Sequence, residues 1–109
     1  KLVTGVQTCA LPICALTENY VACVLVAKGH SLHYYDKNSK QELDFIIEEQ
    51  NKITVIEVKS GEKYKRHASL SAANAEYAER IHRSVVLSRY NVSKKEGVLY
   101  LPLYMAIFL

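Results

Sequence analysis

Two strand-forming segments joined by a short polar turn restrict most strongly how this chain can fold. Apolar and acidic residues alternate through residues 42–48, which is the period of a strand with one buried face. The following segment, residues 53–58, is rich in β-branched residues, and the turn before it contains Asn51, a residue type that tolerates the left-handed conformation. The pattern predicts an antiparallel hairpin whose turn is centred between Gln50 and Asn51. The residues predicted to share one face of its first strand are Leu43, Phe45 and Ile47.

This register places two carboxylates opposite each other, Asp44 and Glu57, and pairs Glu42 with Lys59. Directly opposed side chains have Cβ atoms about 4.5–5.5 Å apart, and two like charges at that separation destabilise the pair unless they are neutralised. A divalent cation would neutralise them, and Mg²⁺ takes oxygen ligands, usually one or two carboxylates with water and substrate phosphate. Asp44 and Glu57 are therefore predicted ligands of Mg²⁺ or Mn²⁺.

Lys59 follows Glu57 by two residues and so shares its face of the strand. There its ammonium would hold an attacking water or offset the charge that develops on a phosphoryl group, while a metal polarises a phosphoryl oxygen. This arrangement favours hydrolysis of phosphodiester bonds. A strand with outward Asp, Glu and Lys side chains is also typical of an ordinary half-solvated sheet, and a one-residue bulge would change the register.

A helix is predicted before the hairpin, over Thr17–Lys28. Thr17 is its expected N-terminal cap, Glu18 lies in the first turn and Gly29 is the expected stop. Glu18 begins the same side of the helix as an apolar stripe, and is predicted to point toward the sheet. The alternative is that Glu18 only complements the positive end of the helix dipole. The stripe consists of Val21, Val24 and Leu25.

A polar and basic loop, residues 60–67, follows the second strand of the hairpin and is the predicted nucleic-acid contact. Its cationic side chains would contact phosphates, and Tyr64 would stack on a base or a sugar. An ordinary solvated loop has the same composition, so both interpretations stay open. The cations are Lys63, Lys65 and Arg66.

The remaining segments predict an α/β sandwich built on a mixed sheet. The order is helix, three strands, helix, strand, strand. The further predicted elements are a strand over Leu32–Asp36, a polar turn over residues 37–40, a helix from Ser69 or Ser71 to Arg80, a strand over Ser84–Ser88, a charged connection over Asn91–Gly97 and a strand over Val98–Leu101.

Composition predicts one small globular domain, because 50% of the 109 residues are hydrophobic. The net charge of +3 permits nucleic-acid binding without requiring it. The three cysteines form no C-x-x-C pair, so no zinc site or redox dithiol is predicted, and Cys23 is expected to be a buried thiol. His30 and His33 are expected at the surface. No run approaches the roughly 18 apolar residues of a membrane span, and a cytoplasmic location is predicted.

The segment before Ala15 differs in kind from the rest of the chain. Val3–Ile13 resembles the translation of a common sequencing adapter, so residues 1–14 are expected to be an artefact and residues 15–109 to be the domain. A secretory signal is the alternative. It is disfavoured because Lys1 carries the only charge and Thr and Gln residues interrupt the apolar run.

Residues 44–47 followed by Ile56-Glu57-Val58-Lys59 resemble the signature of the PD-(D/E)xK nuclease superfamily, in which an acid on one strand is followed by E-x-K on the next. A wider stretch, Leu16–Leu109, resembles the domain of unknown function at the C-terminus of many bacterial and archaeal AAA+ ATPases. The resemblance implies a restriction-endonuclease-like α-β-β-β-α-β core with a mixed sheet, in which a helical acid, here Glu18, often completes the metal site. The landmarks of the wider match are residues 16–21, 34–35, 42–45, 56–61, 69–70, 86–88 and 100–103.

Two functions from different classes are compatible with these observations. The first is a Mg²⁺- or Mn²⁺-dependent nuclease in which Asp44 and Glu57 bind the metal, Glu18 assists, and Lys59 positions water or stabilises charge. The second is a catalytically inactive docking or nucleic-acid-sensing module of an ATPase. The sequence has no G-x-x-x-x-G-K-[ST] segment, so ATP binding of the Walker type is expected only in an N-terminal ATPase region. The tail Leu103–Leu109 is expected to pack on the sheet or on that region, and both DNA and RNA stay open as partners.

Overall fold

The structure, a computed structural model, describes residues 2–3, 12–37 and 41–109, and the side chains of residues 15–33 and 43–109. Residues 38–40 of the predicted turn and most of the expected artefact over residues 1–14 lie outside the described residues, whereas Lys37 belongs to a strand. The helices and strands are, in chain order, β1 (Leu2–Val3), α1 (Pro12–Ala27), β2 (His33–Lys37), β3 (Gln41–Glu49), β4 (Lys52–Val58), α2 (Ala68–Glu76), β5 (Ile81–Ser88), β6 (Ser93–Lys95), β7 (Val98–Pro102) and a 3₁₀ helix (Leu103–Phe108).

Within the described residues, the strands form one seven-stranded sheet in the order β1-β2-β3-β4-β5-β7-β6. The pairs β4 with β5 and β5 with β7 are parallel, and the other pairs are antiparallel. The predicted α/β fold with a mixed sheet is therefore confirmed. The parallel strands matter for the site, because their carboxyl ends meet at one edge of the sheet.

The hairpin of β3 and β4 has the predicted turn. Its described pairs run from Phe45 opposite Ile56 to Glu49 opposite Lys52, so the turn is centred between Gln50 and Asn51. Both turn residues have positive φ, 51° for Gln50 and 64° for Asn51. Two consecutive left-handed residues form the tight turn whose twist matches that of the flanking strands.

A β-bulge interrupts the outer part of this hairpin. On β2, His33 pairs with Ile46 and Tyr35 pairs with Leu43, so β3 has one more residue than β2 in this interval. The extra residue reverses the alternation of the strand. Phe45 packs in the core on the α1 side of the sheet, whereas Leu43 packs in the core on the α2 side. The prediction that Leu43 shares a face with Phe45 and Ile47 was therefore wrong.

Two hydrophobic cores cover the two faces of the sheet. Val21 and Leu25 of α1 pack on one face together with Ala106 and Leu109 at the end of the chain. Leu70 and Ala73 of α2 pack on the other face. Residues 103–109 were expected to pack on the sheet or on an ATPase region, and the structure shows the first, since the 3₁₀ helix contacts α1, β5 and β7. No helix of the described part of the chain is long and apolar enough to cross a membrane.

Helix α1 ends as predicted but begins earlier. The N–H of His30 donates to the carbonyl of Leu25 at 3.1 Å, the N–H of Gly29 donates to that of Val26 at 2.9 Å, and Gly29 has a φ of 91°. These bonds form the motif in which glycine commonly ends a helix. Thr17 is not the N-terminal cap, because the helix starts at Pro12. Cys23 is exposed rather than buried, since it lies on the outer side of the helix.

Three smaller predictions were also wrong. Helix α2 spans Ala68–Glu76, with His67 at its N-cap position, so neither Ser69 nor Ser71 caps it and it ends before Arg80. The charged connection predicted over residues 91–97 contains β6, which adds an antiparallel strand beside β7. His30 is not at the surface, because its ring nitrogens contact Oε1 of Glu49 at 3.2 Å and the carbonyl of Leu109 at 3.0 Å, and its side chain is only 10% exposed.

Candidate active site

A pocket of about 320 Å³ opens where β4 ends, and it collects the predicted site residues from four parts of the chain. Glu18 comes from α1, Asp44 from β3, Glu57 from β4 and Lys63 from the loop that follows. The complete lining is Glu18, Asp44, Glu57, Val58, Lys59, Ser60, Gly61 and Lys63. The fold thus places all four predicted catalytic side chains around one opening.

Glu57 and Lys59 form an ion pair at the mouth of this pocket. Nζ of Lys59 lies 3.3 Å from Oε1 of Glu57, and Glu57 is only 9% exposed. Among the described residues, no hydrogen-bond donor reaches the buried Oε2 of Glu57. Burial raises the pKa of Glu57, whereas Lys59 and, more weakly, His67 lower it. A buried carboxylate oxygen that accepts no hydrogen bond costs free energy, and a nearby cation or protonation reduces that cost.

Asp44 is held by the backbone of the neighbouring strand. The N–H of Val58 donates to Oδ2 of Asp44 at 2.7 Å, just beyond the last described pair of the β3–β4 ladder, Phe45 with Ile56. Burial raises the pKa of Asp44 to about 7, and the negative charges of Glu18 and Glu57 contribute to the rise, although the Val58 bond and Lys59 oppose it. The expected pairs of Asp44 with Glu57 and of Glu42 with Lys59 are not in the described ladder, and the side chain of Glu42 lies outside the described residues.

Glu18 lies inside α1 and points toward the sheet, as predicted. It is 5% exposed, and burial raises its pKa. The alternative role at the helix terminus is not the one the structure gives it, because α1 begins at Pro12 and Glu18 is past the first turn. Val21 and Leu25, which follow Glu18 on the same side, are fully buried, so the helix is fixed with this carboxyl group toward the pocket.

Within the described residues, no three His, Cys, Asp or Glu side chains stand close enough to share one metal ion. Mg²⁺ commonly uses only one or two carboxylates and completes its shell with water and phosphate. Asp44 and Glu57 therefore remain the pair of carboxylates that would hold such an ion here.

The sequence profile of one protein family matches residues 14–105, and that family is described as a domain of unknown function, DUF4143. The chain belongs to the DUF4143 family. The matched range contains every residue that lines the pocket at the end of β4. Comparisons with curated proteins and with solved structures found no match.

The basic loop of this DUF4143 domain brings one of its four predicted contact residues into the pocket, Lys63. The ring of Tyr64 instead stacks on Tyr90, with centroids 4.5 Å apart and planes inclined by 16°. Lys65 lies over the Tyr64 ring at 5.6 Å, and Arg66 is exposed. In this arrangement, Tyr64 anchors the loop to the end of β5, so one face of its ring is already covered.

Sequence reasoning missed the aromatic network behind this loop of the DUF4143 domain. Nε2 of His67 and the hydroxyl of Tyr100 are hydrogen-bonded at 2.7 Å, and the Tyr64 and Tyr100 rings meet edge to face at 5.7 Å. Tyr100 is buried, and its burial raises the pKa of its hydroxyl. Tyr100 lies 33 residues beyond His67 and has no motif spacing to the loop, and it reaches this position because β7 pairs in parallel with β5.

Proposed function

We propose that this DUF4143 domain is a Mg²⁺- or Mn²⁺-dependent nuclease that hydrolyses phosphodiester bonds of nucleic acid, as the C-terminal module of an AAA+ ATPase. The observation that carries the proposal is the meeting of Asp44, Glu57 and Lys59 in one pocket, with Glu18 beside them. Two buried carboxyl groups and one half-buried one, all with raised pKa values and next to one lysine, are costly to the fold and are typical of functional sites.

The residues fit a divalent cation. Oε2 of Glu57 is buried and receives no hydrogen bond from the described residues, and Asp44 is oriented by the N–H of Val58. Burial raises the pKa of Asp44 most, repulsion from Glu18 and Glu57 adds to the rise, and a cation between Asp44 and Glu57 would offset that repulsion. When bound, such an ion polarises a phosphoryl oxygen and favours a nucleophilic water at neutral pH.

The lysines of the pocket supply the remaining chemistry. Lys59 lies 3.3 Å from Glu57, close enough to hold a water molecule against the carboxylate side of the pocket and to stabilise negative charge on the reacting phosphate. Lys63 lines the same opening and would bind a neighbouring phosphate oxygen as a point charge. Lys65 and Arg66 are exposed on the same loop and would extend this contact along the backbone of the nucleic acid.

A second candidate function is a catalytically inactive docking or sensing module of the ATPase. It is favoured by apolar side chains at the end of the chain, since Ile107 is 56% exposed and Phe108 is 71% exposed. Exposed apolar residues that cluster together are typical of surfaces that bind another protein region. In that case the carboxylates of the pocket would be a polar cluster without a metal.

Metal binding distinguishes the two candidates. Calorimetric titration of Mn²⁺ into the full chain should give binding at one site, and Asp44→Asn and Glu57→Gln should each abolish it. Glu62→Gln is the matched control, because Glu62 is an exposed acid of the adjoining loop that does not line the pocket. Loss of binding in both pocket variants but not in the control supports the nuclease. A folded wild-type protein that binds no Mn²⁺ supports the inactive module.

A further inference from the structure

A second pocket, of about 450 Å³, lies at the same edge of the sheet. Leu16 and Tyr20 come from α1, Arg89 follows β5, and Leu103 and Tyr104 begin the 3₁₀ helix. Its volume falls in the range of about 300–1,000 Å³ that is typical of small-ligand sites. No predicted residue of the first pocket lies in it, so it is an additional feature of the surface.

The register of the parallel strands places the two pockets side by side. Val58 pairs with Leu87, and the N–H of Lys59 donates to the carbonyl of Leu87 at 2.8 Å, so Lys59 leaves β4 beside the end of β5. Ser88 pairs in turn with Pro102, so Arg89 leaves β5 next to the start of the 3₁₀ helix. Helix α1 spans both openings, because Glu18 lines the first pocket and its neighbour Thr17 lines the second.

The chemistry of the second pocket suits an unpaired base. Tyr20 is 46% exposed and Tyr104 is 67% exposed, so their rings offer free aromatic surface on which a base can stack. Arg89 also lines the pocket and is exposed, so it supplies a cation at the pocket wall. Its guanidinium lies 5.7 Å from the centroid of the Tyr90 ring, which is not part of the lining. Proteins that bind single-stranded nucleic acid commonly combine aromatic rings with cations. The bases stack on the rings, and the phosphates contact the cations.

We propose that this pocket binds one unpaired base of a single-stranded DNA or RNA segment, with Arg89 on the adjoining phosphate, directly beside the Asp44, Glu57 and Lys59 site. The position relative to a cleaved bond rests on the proposed nuclease function, whereas the binding of a base does not. The pocket confers a preference for single strands, overhangs or unpaired ends, because a base inside a duplex is stacked on both faces and must leave the helix to enter it.

Fluorescence anisotropy of the full chain in EDTA tests base binding without metal or cleavage. The probes are a labelled oligothymidylate, a labelled oligouridylate and a labelled duplex of equal length. Tyr104→Ala should weaken binding of the preferred single strand roughly 5- to 100-fold, from the usual contribution of one stacked base. Arg89→Ala should weaken it as well, and should reduce the slope of log K against log salt by about 0.7.

Matched controls separate this pocket from general surface effects. Phe108→Ala removes an equally exposed aromatic ring of the same 3₁₀ helix outside the pocket, and Arg80→Ala removes an exposed arginine at a different pocket. Both controls should bind like the wild type. The proposal is overturned if Tyr104→Ala binds no worse than Phe108→Ala, or if the duplex binds as tightly as both single strands.

The two proposals fail separately. Binding of the single strand in EDTA without binding of Mn²⁺ would support the base pocket and contradict the nuclease. Binding of Mn²⁺ at Asp44 and Glu57 without binding of either single-stranded probe would support the metal site and contradict the base pocket.

Discussion

The backbone N–H of Val58 donates to Oδ2 of Asp44 at 2.7 Å, so the side chain of one hairpin strand bonds the backbone of the other at the point where their described ladder ends. This bond fixes the carboxyl group of Asp44 next to the strand that carries Glu57 and Lys59. Asp44 directly precedes Phe45 and lies in the part of β3 where the bulge shifts the register. Bulge and hydrogen bond together position the acid of the site.

Stability should fall with rising pH in the absence of divalent cations. The pKa of Asp44 is about 7 in the folded protein, above its ordinary value of 3.8, so the folded state binds the proton more tightly than the unfolded state. The resulting stabilisation is complete below about pH 4 and is lost as pH rises through about 7. Urea unfolding in EDTA should show a decrease on the order of a few kcal/mol across this interval.

Asp44→Asn should remove most of this dependence, because its amide oxygen can still accept the N–H of Val58 but carries no charge. The variant should be more stable than the wild type in EDTA at pH 8, although we expect it not to bind metal. Equal pH profiles of the two proteins would show that Asp44 is not the group that titrates. Glu48→Gln, at an exposed position of β3, is the matched control and should follow the wild type.

Lys59 should matter for cleavage and not for metal binding. In Lys59→Met, we expect the rate of phosphodiester cleavage to fall about 100-fold or more, which is typical when one charge-stabilising donor is removed. Mn²⁺ affinity should be retained or increased, since the ammonium that lies 3.3 Å from Glu57 and repels the cation is gone. Cleavage of a labelled oligonucleotide and calorimetry measure the two effects. Lys52→Met, at the opposite end of β4, should change neither, and a Lys59→Met protein as active as Lys52→Met would contradict the proposed role.

The hairpin could be predicted from the sequence because its determinants are local. Alternation, β-branched residues and a turn residue that accepts positive φ all lie within residues 42–58, and they gave the observed pairing of Phe45 with Ile56. The bulge could not be predicted, because it depends on which residue of β2 pairs with Leu43 and which with Ile46. Without it, the alternation of the strand predicts that Leu43 and Phe45 share one face.

The candidate site was predictable to the extent that it uses short motifs. Glu57 lies near the end of β4, Lys59 follows it by two residues just past that end, and Glu18 lies on the apolar side of a helix, so local periodicity places all three. The contacts of the basic loop were not predictable, since Tyr64 packs on Tyr90 and His67 bonds Tyr100 only after α2 and β5 have folded back on the sheet. Spacing along the chain carries no information about such pairs.

The Tyr64 and Tyr90 rings should stabilise the fold as a pair. They stack at a centroid distance of 4.5 Å, and such pairs contribute about 0.5–1.5 kcal/mol beyond their burial. A double-mutant cycle with Tyr64→Leu and Tyr90→Leu, measured by urea unfolding, should give a coupling energy in this range. The comparison cycle combines Tyr64→Leu with Tyr104→Leu. It should give no coupling, because Tyr104 lines the second pocket and Tyr64 does not. Equal coupling in both cycles would mean that stacking is not its source.

The turn of the hairpin is a place where the protein can be stabilised without touching the site. Gln50 and Asn51 both have positive φ, and the pair that best tolerates this turn is Asn followed by Gly. Gln50→Asn combined with Asn51→Gly should raise the free energy of unfolding by about 0.5–1 kcal/mol, because Asn tolerates the left-handed conformation better than Gln, and Gly adopts it more readily than Asn. Gly97→Ala should instead lower the free energy of unfolding, because alanine is disfavoured at a positive φ. Its φ is 80° and an added Cβ would meet no atom within 4 Å, so the expected loss of about 1 kcal/mol comes from the backbone alone. Urea unfolding measures both changes, and Mn²⁺ affinity should be unchanged in both variants. If neither variant shifts the midpoint, backbone strain at these turns does not limit stability.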